Sequence, residues 1–183
     1  MTETITLLAT TVATPAGPLA LVVTSDGTVR AAGYGPLDDL VRRHAATDPA
    51  AGGVVVQRVE PSGLPAGIAA ALARYADGDA GALDSVPVEQ PGGAFYQEVW
   101  RAMRRVPPAT TVTYTELAAM AGRPAAVRAA GTACARNLLA PFVPCHRIVR
   151  SDGTLGGYAY GLDAKRALLA HEQGVHEQGV RTS

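Results

Sequence analysis

TYTELAAMAGRPAAVRAAGTACAR, residues 113–136, decides the fold of the half of the chain around it. Thr113-Tyr114-Thr115-Glu116 fits a capping box, in which the Thr113 oxygen accepts from the third backbone N–H of a new helix and Glu116 reaches back to the cap. Gly122-Arg123-Pro124 breaks that helix. Ala125 to Arg136 predicts a second, Ala-rich helix whose small side chains permit close approach to another backbone. Two short helices joined by a Gly-containing turn are the sequence form of a helix-turn-helix, although any αα-hairpin gives the same pattern.

Just upstream, Phe95, Val99, Trp100, Met103 and Val106 recur at helical spacing, and Arg101, Arg104 and Arg105 take the other faces. Residues 94–106 therefore predict an amphipathic helix closed by Pro107-Pro108. Before it, the stretch 86–93 holds two prolines and two glycines and reads as a linker. The chain ahead of the linker alternates between β-rich and helical runs. Residues 4–13, 18–24 and 29–34 predict an antiparallel meander, followed by a helix over 37–46, a strand over 54–60 and a helix over 65–76. The expected class is α/β of the α+β kind. It comprises an N-terminal unit over 1–91, a mostly helical C-terminal unit over 92–175 and a flexible tail over 176–183. In the tail, His171-Glu172-Gln173-Gly174-Val175 is repeated as His176-Glu177-Gln178-Gly179-Val180, and two copies of five residues cannot make a solenoid.

The composition is that of a globular chain: 183 residues, 48% hydrophobic and 17% charged, enough to bury a core without disulfides or metals. There is no apolar run of about 18 residues and no basic leader followed by an apolar stretch, so a cytosolic, bacterial-type location without membrane attachment is expected. Cys134 and Cys145 are the only cysteines, too few for a disulfide framework or a structural zinc site, and neither metal nor cofactor is expected. The net charge of zero conceals a division. Residues 1–94 carry −5, residues 95–170 carry +6, and the last thirteen carry −1. Such asymmetry suits contact with an anion such as nucleic acid, or simply solubilises two surfaces.

Within the basic half stands Val143-Pro144-Cys145-His146-Arg147-Ile148-Val149. An unperturbed thiol, with pKa near 8.5, is mostly protonated at neutral pH, so a reactive cysteine needs a base or a positive field. His146 and Arg147 can supply both, provided the imidazole faces the sulfur directly or through one water. A third group should hold the imidazole, and the candidate is Glu172, at the end of an amphipathic helix over Leu162–His171 whose Leu162, Leu168 and Leu169 bury one face. The same residues also fit an inert buried cysteine beside a surface histidine.

From Phe95 to Glu172 the chain resembles the O6-alkylguanine-DNA alkyltransferases. The motifs that carry the resemblance are Thr113-Tyr114-Thr115-Glu116-Leu117-Ala118, Val127-Arg128-Ala129-Ala130-Gly131, Arg136-Asn137, Pro144 to Val149, Gly156-Gly157-Tyr158 and Lys165-Arg166-Ala167-Leu168-Leu169. The resemblance implies a ribonuclease-H-like N-terminal sheet with helices and a C-terminal helix-turn-helix. It also implies irreversible, single-turnover transfer of an alkyl group from O6-alkylguanine, and from O4-alkylthymine, to Cys145. In that reading His146 activates the thiol through a water, Glu172 orients His146, Tyr114 gives a proton to N3 of the leaving guanine, and Asn137 ties the helix-turn-helix to the active-site loop. Double-stranded DNA is the implied partner, met through its minor groove by a monomer able to cluster on DNA. The base is extruded and replaced by Arg128. Ala129, Gly131, Ala133, Arg136, Ile148, Gly157, Tyr158 and Ala159 complete the implied substrate and DNA contacts.

The sequence departs from the family pattern at three places: Leu138, where proline is common, Ala159, where a polar residue is common, and the bulky Tyr160. Tyr160 is expected to narrow the alkyl pocket, and Cys134 reads as a small packing residue. Rival readings are a lesion sensor that does not repair, a helix-turn-helix regulator with an incidental thiol, and a cysteine hydrolase. The sensor class lacks the cysteine present here, and no oxyanion hole is evident for a hydrolase.

Overall fold

The structure is a computed structural model that describes residues 5–48 and 53–181, the last seven of these by backbone alone. Its N-terminal half is built on three strands, β1 (Ile5–Thr14), β2 (Gly17–Thr24) and β3 (Val29–Gly33), joined as the expected antiparallel meander. The turn between the first two is made at Gly17, whose φ of 114° suits a residue without a Cβ. The helix α1 (Leu37–Thr47) then carries the chain back, so that β4 (Val54–Arg58) lies parallel to β1 and the sheet order is β3-β2-β1-β4. The sheet is thus mixed, not antiparallel throughout, because a strand that follows a crossover helix returns in the direction of the strand it joins.

Alternation along β2 sorts its side chains onto two faces. Ala20 and Val22 join Leu7, Ala9, Ala31 and Leu40 beneath α1. Leu19, Leu21 and Val23 face the larger core, which also takes in α2 (Ala66–Ala76) and the helices of the C-terminal half. That larger core runs from Leu19 to Leu168 without interruption, so both halves are covered by the same buried apolar surface.

The stretch read as a linker is docked. Val29 donates to the Pro87 carbonyl at 2.9 Å and Glu89 donates back to Val29 at 3.0 Å, while Ala32 donates to the Leu138 carbonyl at 2.7 Å. The otherwise free edge of β3 is therefore covered by two segments, at Val88 and at Leu139.

Beyond it, α3 (Ala94–Arg104) buries Val99, Trp100, Ala102 and Met103, the face its periodicity predicts. A short pair, β5 (Val112–Thr113) with β6 (Ile148–Val149), brackets the helices α4 (Tyr114–Met120) and α5 (Val127–Ala135). The capping box forms as expected, with Glu116 N–H donating to Thr113 Oγ1 at 3.2 Å and Thr113 N–H donating to Glu116 Oε2 at 2.7 Å. The last helix, α6 (Leu162–Arg181), continues through both copies of the pentapeptide instead of ending at His171 before a flexible tail. The side chains of 175–183 lie outside the described residues. Leu162, expected on the buried face, is exposed, whereas Leu168 is fully buried. No helix among the described residues is long and apolar enough to cross a membrane.

Candidate active site

Cys145 opens a single 3-10 turn over Cys145–Arg147, and the three consecutive side chains leave that turn in three directions. The Cys145 sulfur accepts a hydrogen bond at 3.2 Å from the Asn137 side-chain amide, which also donates to the Val143 carbonyl at 2.8 Å. Burial pushes the thiol pKa up, and the Asn137 hydrogen bond and the charge of Lys165 act against that rise. The thiol is thus protonated at rest, and its thiolate has one fixed donor waiting for it.

His146 is completely buried. Its Nε2 lies 2.8 Å from Glu172 Oε1, and its Nδ1 has no hydrogen-bond partner among the described residues. Burial lowers the imidazole pKa against the pull of Glu172, so the ring is neutral. Glu172 is a carboxylate and accepts only, which puts the ring proton on Nε2 and leaves Nδ1 as a free acceptor.

Arg147 turns away from the sulfur. Its guanidinium donates to Glu172 Oε1 from Nη2 at 2.9 Å and to Oε2 from Nε at 3.1 Å, and Nη1 donates to the Val106 carbonyl at 2.6 Å. Ala109 adds its N–H to Glu172 Oε2 at 3.2 Å, and does so with φ at 58°, a left-handed conformation unusual for a residue with a Cβ. Burial alone would raise the Glu172 pKa, but the hydrogen bonds and charge from His146 and Arg147 prevail and hold it at about 2. The positive field expected of Arg147 at the thiol is therefore spent on Glu172. The cation near the sulfur is instead Lys165, fully buried on α6, whose ammonium donates to the carbonyls of Ile148, at 2.6 Å, and Leu155.

A cavity of about 410 Å³ opens onto Cys145, lined also by Tyr114, Gly131, Cys134, Ala135, Gly157, Tyr158 and Ala159. Tyr114, Gly131, Gly157, Tyr158 and Ala159 were all expected at the substrate, and the fold brings them together. Burial, together with the charges of the two thiols, raises the Tyr114 pKa, so its phenol keeps its proton. Gly156 has a φ of 72° and sits so close that a Cβ there would lie 3.3 Å from the Tyr114 hydroxyl. A larger volume of about 490 Å³ lies on the far side of Ala135, between α1 and α3, and contains neither thiol.

Other expected residues fall elsewhere. Arg128 is exposed on α5 and Arg136 is exposed just beyond its end, Ala129 is half-buried, and Ala133 is buried with its carbonyl taken by the Trp100 indole at 2.9 Å. Ala133 thus belongs to the core and not to a contact surface. Ile148 is likewise fully buried, and its carbonyl is occupied by Lys165. Tyr160 does not line the cavity at Cys145. Its ring passes over Gly33, where a Cβ would lie 2.1 Å from the hydroxyl, and meets Tyr34 and Tyr158 edge-on. A sequence-local view of Tyr158-Ala159-Tyr160 cannot foresee this, because the ring is received by β3, more than a hundred residues away.

Gln90 went unnoticed in the sequence. It donates to Asn137 Oδ1 at 3.1 Å and accepts from the Leu138 N–H at 2.9 Å, and Asn137 Oδ1 also accepts from Leu139 N–H at 3.0 Å. Its one signal is a polar residue between the apolar and proline positions of the supposed linker.

Comparison with known proteins agrees with this geometry. Residues 94–174 match the family model described as the 6-O-methylguanine DNA methyltransferase DNA binding domain. The chain is 36% identical over 170 residues to the methylated-DNA–protein-cysteine methyltransferase of Salmonella typhimurium, covering 91% of this chain and 95% of that protein. It is 50% identical over 88 residues to the bifunctional transcriptional activator/DNA repair enzyme Ada of Escherichia coli, of whose length the match spans 25%. Among solved structures, the O6-methylguanine methyltransferase of Mycobacterium tuberculosis superposes with a TM-score of 0.70 at 31% identity, over 92% of this chain and 93% of that one. The structure of the same organism's OGT in complex with DNA gives 0.69 at 29% identity, over 92% and 94%. Fold and site define a protein with a buried cysteine, hydrogen-bonded by Asn137 and opening onto a cavity, beside a pair of short helices. The chain belongs to the methylated-DNA–protein-cysteine methyltransferase family.

Proposed function

We propose that the protein repairs alkylated DNA by taking the alkyl group of O6-alkylguanine, and of O4-alkylthymine, irreversibly onto Cys145. The observation that carries this reading is the buried, ordered series Arg147–Glu172–His146 next in the chain to Cys145, whose thiol is held by Asn137 and lines a cavity. The Cys145 proton passes through a bridging water to His146 Nδ1, and Glu172 stabilises the imidazolium that results. The thiolate attacks the alkyl carbon, the carbon–O6 bond breaks with its electron pair going to the purine, and Tyr114 gives a proton to N3. Proton return from His146 to Tyr114 leaves a neutral guanine and a thioether. A thioether has no leaving group for water to displace, so each molecule acts once.

The reacting carbon lies inside a duplex, so the nucleotide must be swung out, at a cost of a few kcal/mol that damage reduces. The exposed Arg128 on α5 fills the gap from the minor groove, Arg136 meets phosphate, and Gly157, Tyr158 and Ala159 cover the base. Residues 92–175 form the reacting unit, α4 and α5 its helix-turn-helix, and 1–91 the unit that supports it. The protein works in the bacterial cytoplasm as a monomer that can cluster on DNA. Intact-protein mass spectrometry after mixing with a duplex containing O6-methylguanine tests the reading. One methyl on the peptide with Cys145, abolished in Cys145→Ala, is expected, and methyl elsewhere or none overturns it.

A further inference from the structure

The alkyl cavity holds a thiol that the reaction above does not use. Cys134, in the last turn of α5, lines the same space as Cys145, and both cysteines are free. Burial raises the pKa of both thiols, the charge of Cys145 adds to the rise at Cys134, and buried Lys165 acts against the rise at both. Raised thiols react slowly with peroxide, which argues against an oxidation sensor. A group already attached to Cys145, however, is presented to Cys134 inside the one cavity that both thiols line, where proximity replaces intrinsic reactivity.

We propose that Cys134 is a second nucleophile, which closes a 2-haloethyl group taken by Cys145 into an ethylene bridge between the two sulfurs. The proposal rests on the alkyl-transfer reading, with O6-(2-haloethyl)guanine as the O6-alkylguanine that supplies the group. After transfer, Cys145 carries a thioether with a halogen on the second carbon. The Cys145 sulfur displaces the halide, which leaves with the carbon–halogen electron pair, and a three-membered sulfonium ring forms. Cys134 sulfur attacks a ring carbon, the broken carbon–sulfur pair returns to Cys145, and the Cys134 proton passes to water. The net loss is one hydrogen halide. A methyl adduct has no such second leaving group and stops at the thioether. Cys134 thus removes an electrophile that would otherwise be open to attack by the bound DNA.

The full chain treated with 1,2-dibromoethane tests the bridging step without DNA. Wild type should gain two carbons and two hydrogens per chain, with tryptic peptides 129–136 and 137–147 joined. Cys134→Ser and Cys134→Ala, checked for folding by circular dichroism, should lose the joined species completely and carry 2-hydroxyethyl on Cys145. Hydroxyethyl on Cys145 beside an unmodified Cys134 in wild type overturns the proposal, as does a native chain that stays unbridged when the denatured chain is bridged. Methyl transfer from O6-methylguanine duplex, measured on the same preparation, separates the two claims. Methylation without bridging sinks only this inference, and bridging without methylation sinks the repair reading and, with it, the haloethylguanine route, leaving only the pairing of the two thiols.

Discussion

The Gln90 amide donates to Asn137 Oδ1 at 3.1 Å across 47 residues of chain, and Asn137 in turn donates to the Cys145 sulfur at 3.2 Å. The conformation of the segment before α3 is thereby connected to the reacting atom through two side-chain amides. Gln90→Ala removes the side-chain partner among the three groups, with the Leu139 N–H and the Val143 carbonyl, that fix which way the Asn137 amide points. Single-turnover methyl transfer should slow by about ten- to a hundredfold, the scale of a small misplacement of a reacting group. Binding to methylated duplex should change little. An unaltered transfer rate in rapid-quench measurements would sink the positioning role.

Glu172 is held by His146, Arg147 and the Ala109 N–H together. Glu172→Gln leaves the buried guanidinium of Arg147 without a countercharge, and losing one partner of such a pair costs roughly 3–5 kcal/mol. The variant should unfold at markedly lower denaturant concentration and also lose transfer activity. Equal denaturation midpoints for the two proteins would contradict the buried pairing.

Stability should fall in acid. The folded Glu172 carboxyl stays ionised down to about 2 against an ordinary 4.5, so between these values the unfolded chain binds a proton that the folded chain refuses. The depressed His146 pKa has the same sign, since the unfolded imidazole protonates first as pH drops through its ordinary 6.5. Both contributions are complete above the ordinary values and disappear on acidification. Thermal unfolding followed by circular dichroism from neutral pH downward should show a steadily falling Tm, and a Tm that holds or rises below about pH 4.5 is the contrary result.

Arg128 is exposed on α5 and touches none of the groups around the sulfur. Arg128→Ala should therefore slow transfer from duplex DNA by an order of magnitude or more while leaving reaction with free O6-benzylguanine unchanged, on the scale of a few kcal/mol for holding a base out of its stack. Equal losses on both substrates would place the arginine in the chemistry and not in base extrusion.

Much of the helical half was legible in the sequence because its signals are local. The Thr113/Glu116 capping box and the apolar face of α3 depend only on spacing within a few residues, and both formed. The series around Cys145 was legible in part, through the adjacency of Cys145 and His146 and the place of Glu172 at the end of an amphipathic helix, to which the resemblance added the roles. What escaped depends on distant partners. The direction of β4 follows from where α1 delivers the chain, the inward turn of Arg147 from the placement of Glu172 on α6, and the burial of Gln90 from Asn137. Tyr160 was assigned to the wrong cavity because Gly33, which makes room for its ring, lies at the end of β3, far away in the sequence.

Pairing of β3 with the chain at Pro87–Glu89 and at Leu138 has a consequence for dissecting the molecule. A cut near residue 91 would strip one fragment of its cover along a raw strand flank and deprive the other of the surface that seats its reactive loop. Neither piece would then be a faithful miniature of the whole. Complementation by mixing the two should work only to the extent that this seam can be resewn.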